Sequence, residues 1–123
     1  MIVGIGVDII EPARIARAMA NPRFAERIYT PRERERIAQA GAQSAQRAAG
    51  IFAAKEAAVK ALGCGFDGVG LHDVEVVSAA SGQPGLELRG GAAARLSALG
   101  GVRAQLSISH IESAAVAFVV IEG

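Results

Sequence analysis

The chain of 123 residues has no tryptophan, one tyrosine, four phenylalanines and a single cysteine. So few aromatics leave little to stack on bases, and no nucleic-acid-binding signature is present. Cys64 has no partner for an internal disulfide and no Cys or His neighbour at metal-ligand spacing, so it reads as a small loop residue. A reducing cytoplasm is the expected compartment. No apolar run approaches the roughly 18 residues of a membrane span, and no basic, apolar and small-residue pattern marks a signal peptide. Lysine is scarce as well: Lys55 and Lys60 stand against eleven arginines.

Half of the residues are apolar, enough for one well-buried core, and the length predicts one domain over residues 1–123. Net charge is only +1, but residues 12–50 carry eight arginines against three glutamates. A basic segment on a near-neutral body points to an acidic partner, whether nucleic acid, anionic membrane or an acidic protein.

The stretch from Phe52 to Gly65 organises the rest. It lies in a helix-forming run from about Gln43 to Leu62, closed by Gly63. At about 100° per residue, Ile51, Phe52, Val59 and Leu62 share an apolar stripe. Glu56 sits on its edge, Lys60 one turn further on the same flank, and Lys55 inside it. One reading is an amphipathic core helix with a Glu56–Lys60 pair and a snorkelling Lys55. The other is chemical: a carboxylate suits a hard divalent cation and ammonium groups suit phosphate oxygens. The glycine-dense loop after it, including Gly63 and Gly65, either offers backbone N–H groups to phosphates or merely connects.

Met1 to Ile10 reads as a buried strand with Val3, Ile5, Val7 and Ile9 on one face and Gly4, Gly6 and Asp8 on the other. The glycine face leaves room for something to lie against the backbone. Asp8 is either a metal ligand or a cap for the next helix. That helix begins at Pro12, packs Ile15, Ala18 and Met19, and exposes Arg14 and Arg17. Phe24 and Ile28 are anchors after Asn21-Pro22. Thr30-Pro31-Arg32-Glu33 is a capping box, and Arg32, Arg34 and Arg36 read as its helix's solvated face. Two short strands flank a turn at residues 81–85, and a small helix spans about Gly91 to Leu99. The apolar run Ala114 to Ile121 reads as a central strand, with Ser109-His110 in a turn before it.

Three blocks together, G-I-G-V-D-I-I-E-P-A-R-I at 4–15, F-A-A-K-E-A-A-V-K-A-L-G-C-G at 52–65 and L-S-I-S-H at 106–110, resemble the holo-[acyl-carrier-protein] synthases. These are a bacterial class of 4′-phosphopantetheinyl transferases, and F-A-E-R-I-Y-T-P-R-E at 24–33 is similar to them too. The resemblance covers essentially the whole chain. It implies an α/β (α+β) single domain with a small antiparallel or mixed sheet packed against one long helix and short helices. It also implies transfer of 4′-phosphopantetheine from coenzyme A to a serine of an apo acyl carrier protein, with release of 3′,5′-ADP.

The resemblance further implies Asp8 and Glu56 as magnesium ligands and Lys60 at the coenzyme A phosphates; on chemical grounds Glu56, directly or through a metal-bound water, is the candidate base. His110 falls at the position of a histidine in the coenzyme A site; from the residues themselves, Ser109 beside it is placed to reach the same ligand, and backbone N–H groups around Gly63 to Gly65 are placed to stabilise the leaving 3′,5′-ADP. Arg14, with Arg17 beside it, falls on the carrier-protein surface, and the assembly implied is a homotrimer with sites between subunits. Ile51 stands where many members carry an arginine, Cys64 replaces a threonine, and Ile111 replaces a small polar residue. The competing readings are an arginine-rich nucleic-acid-binding module and a non-catalytic coenzyme A binder.

Overall fold

Ile2–Ile10 forms β1, an edge strand of a three-stranded antiparallel sheet, in the computed structural model, which describes residues 1–123. Ala114–Glu122 (β5) is the centre of that sheet and Arg103–Ile111 (β4) its other edge. The unbroken apolar run predicts a central position, and β5 occupies it because both of its edges are paired. Asp8 lies opposite Ala117, and Ala117 opposite Ile108; one step along, Ile10, Ala115 and His110 align in the same way. A separate antiparallel pair joins Val74–Ser78 (β2) to Pro84–Leu88 (β3).

Five helices complete the mixed α/β chain: Pro12–Ala18 (α1), Pro22–Ile28 (α2), Pro31–Gln39 (α3), Ser44–Leu62 (α4) and Gly90–Ala98 (α5). The first three each open with a proline in the first turn, where its missing N–H costs nothing. Sequence reasoning placed only anchors on α2, a helix too short to show a period. The capping box of α3 forms as expected: Thr30 N donates to Glu33 Oε1 at 2.8 Å, and Glu33 N to Thr30 Oγ1 at 3.2 Å. No helix is long and apolar enough to cross a membrane.

The long helix differs from expectation. It is not amphipathic: twelve of its nineteen residues are buried, including Lys55. The sheet covers one side while α1, α3 and β2 cover others, and its alanines permit close approach on every side. Lys55 is fully buried 2.8 Å from the equally buried Glu33, and it donates to Leu71 O at 2.8 Å and Val74 O at 2.6 Å. Glu33 also accepts from Val76 N at 2.7 Å. These bonds pin α3, α4 and β2 together, and they make Lys55 structural.

The first strand is turned over relative to expectation. Its Gly4-Gly6-Asp8 face packs on α4, whereas Ile5, Val7 and Ile9 are 61%, 50% and 67% exposed. Bare backbone is the reason. A Cβ on Gly6 would overlap Ala57 O and stand 2.8 Å from Ala61 N; one on Gly4 would overlap Ala61 O. What lies against the glycine face is the chain's own helix.

The solvated-face reading of α3 also needs correction. Arg32 pairs with Glu75 at 3.2 Å, and the half-buried Arg36 donates to Val76 O at 3.1 Å.

Candidate active site

Gly6 sits under Ala57 and Gly4 under Ala61. Two strand residues advance about 6.7 Å and four helix residues about 6 Å, so the two elements run past each other in step. The next step carries Asp8 to the level of Ala53. Side chains on a helix lean toward its N-terminus, so Glu56 and Lys60 lean over Asp8.

Lys60 Nζ lies 3.0 Å from Asp8 Oδ1 and donates to Val7 O, also at 3.0 Å. The Glu56–Lys60 pair weighed from the sequence does not form; Asp8 takes the ammonium instead. Asp8 is not a helix cap either, since the N-cap of α1 is Glu11 and no side chain caps that end. Its Oδ2 is buried without a hydrogen-bond partner. Burial, then the Asp8 charge, push the Glu56 carboxyl above its ordinary value, with Lys60 opposing.

Two carboxylates that repel each other, one with an orphaned buried oxygen, fit a hard divalent cation. No group of three or more metal-ligating side chains exists in the chain. A pair suits magnesium, which keeps several waters and shares substrate phosphates.

Gly63 takes a left-handed conformation (φ 73°) and closes α4. Its N–H is occupied by Val59 O at 3.1 Å and Lys60 O at 3.0 Å, so it has none left for a ligand. The Gly65 N–H has no backbone acceptor. Arg95 Nε donates to Leu62 O at 2.9 Å and secures the same helix end.

Ser109 and His110 are not in a turn; both belong to β4 and point to opposite faces. His110 lines a cleft of about 210 Å³ with Arg36, Arg47, Gly50, Ile51 and Ile108. Ser109 faces the other side of the sheet. The cleft is not on the Asp8 side. Arg47 and Glu56 are nine residues apart on α4, which at 100° per residue sets them about 180° from each other. Sequence reasoning missed Arg36 and Arg47. Only the four-residue spacing from Arg47 to Ile51 hinted that the two share a face, and nothing local links Arg36 to them.

Residues 4–119 match the model of the 4′-phosphopantetheinyl transferase superfamily. A holo-[acyl-carrier-protein] synthase of Solidesulfovibrio magneticus is 48% identical, with 100% of each chain covered. The crystal structure of such a synthase from Neisseria meningitidis superposes with a TM-score of 0.90 at 38% identity, covering 100% of both chains. One from Bacillus anthracis, in complex with CoA (3′,5′-ADP), superposes with a TM-score of 0.82 at 40% identity over 98% of this chain and 96% of that one. With the sheet, the long helix and the carboxylate pair in this arrangement, the chain belongs to the holo-[acyl-carrier-protein] synthases of the 4′-phosphopantetheinyl transferase superfamily.

Proposed function

We propose that this enzyme transfers the 4′-phosphopantetheine group of coenzyme A to a serine hydroxyl of an apo acyl carrier protein. The observation that carries the reading is the Asp8–Glu56–Lys60 cluster, with Asp8 Oδ2 buried and unsatisfied beside a second carboxylate. Asp8 and Glu56 would hold magnesium, whose bound charge neutralises that of the coenzyme A diphosphate. The serine Oγ bonds to the phosphorus on the pantetheine side of the diphosphate, and the bond from that phosphorus to 3′,5′-ADP breaks. Glu56 takes the serine proton as general base. Lys60, half-exposed and carrying further N–H donors, turns them to the departing phosphate oxygens, and the Gly65 N–H, which has no backbone acceptor, is a further candidate donor.

The site joins two copies, in a homotrimer. The outer sheet face carries Ile5, Val7, Ile9 and Phe118, the last 45% exposed, and one chain alone leaves them to water. His110 stands across α4 from Glu56, so one coenzyme A reaches both kinds of residue only between neighbouring copies. Arg14 and Arg17, exposed on α1 just after Asp8, form the rim where the acidic carrier protein docks. The single free cysteine fits a cytoplasmic enzyme.

Incubating the chain with coenzyme A, magnesium and an apo carrier protein tests this by intact mass. A gain of one phosphopantetheine, with 3′,5′-ADP released, is the expected result. A carrier protein that binds but stays apo would leave only a coenzyme A binder.

A further inference from the structure

The two lysines of α4 hold their partners differently. Lys55 has three fixed acceptors and no exposure, whereas the Lys60 side chain is 54% exposed. Lys60 Nζ donates to Asp8 Oδ1 and to Val7 O, each at 3.0 Å, and its third N–H has no protein acceptor. The ammonium thus occupies one of the two oxygens of a carboxylate proposed for the metal, while the other, Oδ2, is buried and unpartnered. Glu56 senses the charges of both Asp8 and Lys60, and no third metal-ligating side chain joins the cluster. Two carboxylates less one ammonium leave a formal charge of −1 at most. Affinity for a hard cation rises with the charge of its ligands, so a free divalent ion meets a weak site. Its own charge also repels an ammonium that shares the same carboxylate.

We infer that the Lys60 ammonium gates the metal site: it holds Asp8 against a free divalent cation and yields it to one that arrives with the diphosphate of coenzyme A. This rests on the transfer reaction proposed above and adds the order in which its site fills. The diphosphate gives the ammonium new acceptors and brings negative charge that both cations share. Lys60 is suited to the exchange, because its stem is flexible, its head half-exposed, and an exposed ion pair is worth little. Lys55, with its acceptors buried around it, has nowhere to turn. The coupling is reciprocal. Whatever affinity the ammonium takes from a cation at Asp8, the cation takes from the ammonium's hold there, which frees Lys60 toward the phosphates. Metal and donor therefore load together, rather than the metal first.

Mn²⁺ takes the same oxygen ligands as Mg²⁺ and is read by electron paramagnetic resonance, so it tests the gate without turnover. Wild type, Lys60→Met and Lys60→Arg are titrated without carrier protein, with and without coenzyme A. A protein-free blank accounts for the metal that coenzyme A takes up itself. Wild type is expected to bind Mn²⁺ weakly alone and roughly tenfold or more tightly with coenzyme A. Lys60→Met is expected to bind the metal alone roughly tenfold or more tightly than wild type, whereas Lys60→Arg, which keeps the charge, stays close to wild type. Lys60 is half-exposed, so the Met variant keeps a melting temperature near that of wild type. A Lys60→Met protein that binds Mn²⁺ alone no tighter than wild type overturns the gate. So does a wild type whose Mn²⁺ affinity coenzyme A leaves unchanged. Asp8→Asn separates this from the metal site itself. Lost Mn²⁺ binding in that variant keeps the metal at Asp8 whatever becomes of the gate. Retained binding takes the metal off the carboxylate pair and the gate falls with it, while the intact mass of the carrier protein still decides the transfer.

Discussion

Lys60 Nζ stands 3.0 Å from Asp8 Oδ1, although 52 positions separate the two in the chain. Lys55, five residues earlier, instead spends its ammonium on Glu33 and two carbonyls in the core. Lys60→Ala is therefore expected to weaken coenzyme A use while costing only about 0–1 kcal/mol of stability, since the pair is half-exposed. Lys55→Met leaves a buried carboxylate unpaired and is expected to cost about 3–5 kcal/mol. Urea denaturation and steady-state kinetics on both variants separate the two roles. Equal losses of coenzyme A affinity would refute the division of labour.

Asp8→Ala and Glu56→Ala are each expected to lower kcat by roughly a hundredfold or more with the fold kept. The raised Glu56 pKa adds a second readout. Folded protein holds that proton more tightly than unfolded chain, so stability falls as pH rises from the ordinary carboxylate range through the raised value. Glu56→Gln removes this loss. In magnesium-free buffer it should melt above wild type at neutral pH, with the gap closing below the ordinary carboxylate range. A gap that does not vary with pH would contradict the assignment.

Gly6→Ala is expected to push α4 off the sheet, because the added methyl meets backbone atoms of Ala57 and Ala61 that cannot rotate away. The cost is about 3 kcal/mol or more, at the upper end for overpacking. Circular dichroism melts of this variant and of Gly82→Ala control for left-handed strain alone: Gly82 is a turn glycine (φ 88°) with nothing near its Cβ. A smaller loss at Gly6 than at Gly82 would refute the close approach.

Ile9→Lys puts a charge on the 67% exposed outer face, where a lone chain tolerates it. Light scattering should then report a monomer where wild type is an oligomer, and transfer should fall with it. An Ile9→Lys protein of wild-type mass would move the interface elsewhere.

Arg14→Glu is expected to raise KM for the carrier protein and leave that for coenzyme A nearly unchanged. Rim charges act mainly on association, so the defect should shrink as salt weakens wild type. Wild-type use of the carrier at low ionic strength would end the docking assignment without touching the metal pair.

What was legible in the sequence was local. A capping box needs only Thr30 and Glu33, a helix end only Gly63, and a central strand only the apolar run of β5. Asp8, Glu56 and Lys60 were legible because each departs from its surroundings: a carboxylate in a β strand, and point charges in an alanine-rich helix. The tertiary structure alone decided which face of β1 is inside. An alternation of apolar and small residues satisfies either orientation, and the close approach of α4 selects the bare one. It alone gave Glu33 its second partner, Lys55, and so turned a helix cap into a buried ion pair. It also set Arg36 and Arg47 against one cleft. Residues eleven positions apart on two helices share no period, so their meeting depends on how those helices pack, which no local pattern of side chains encodes.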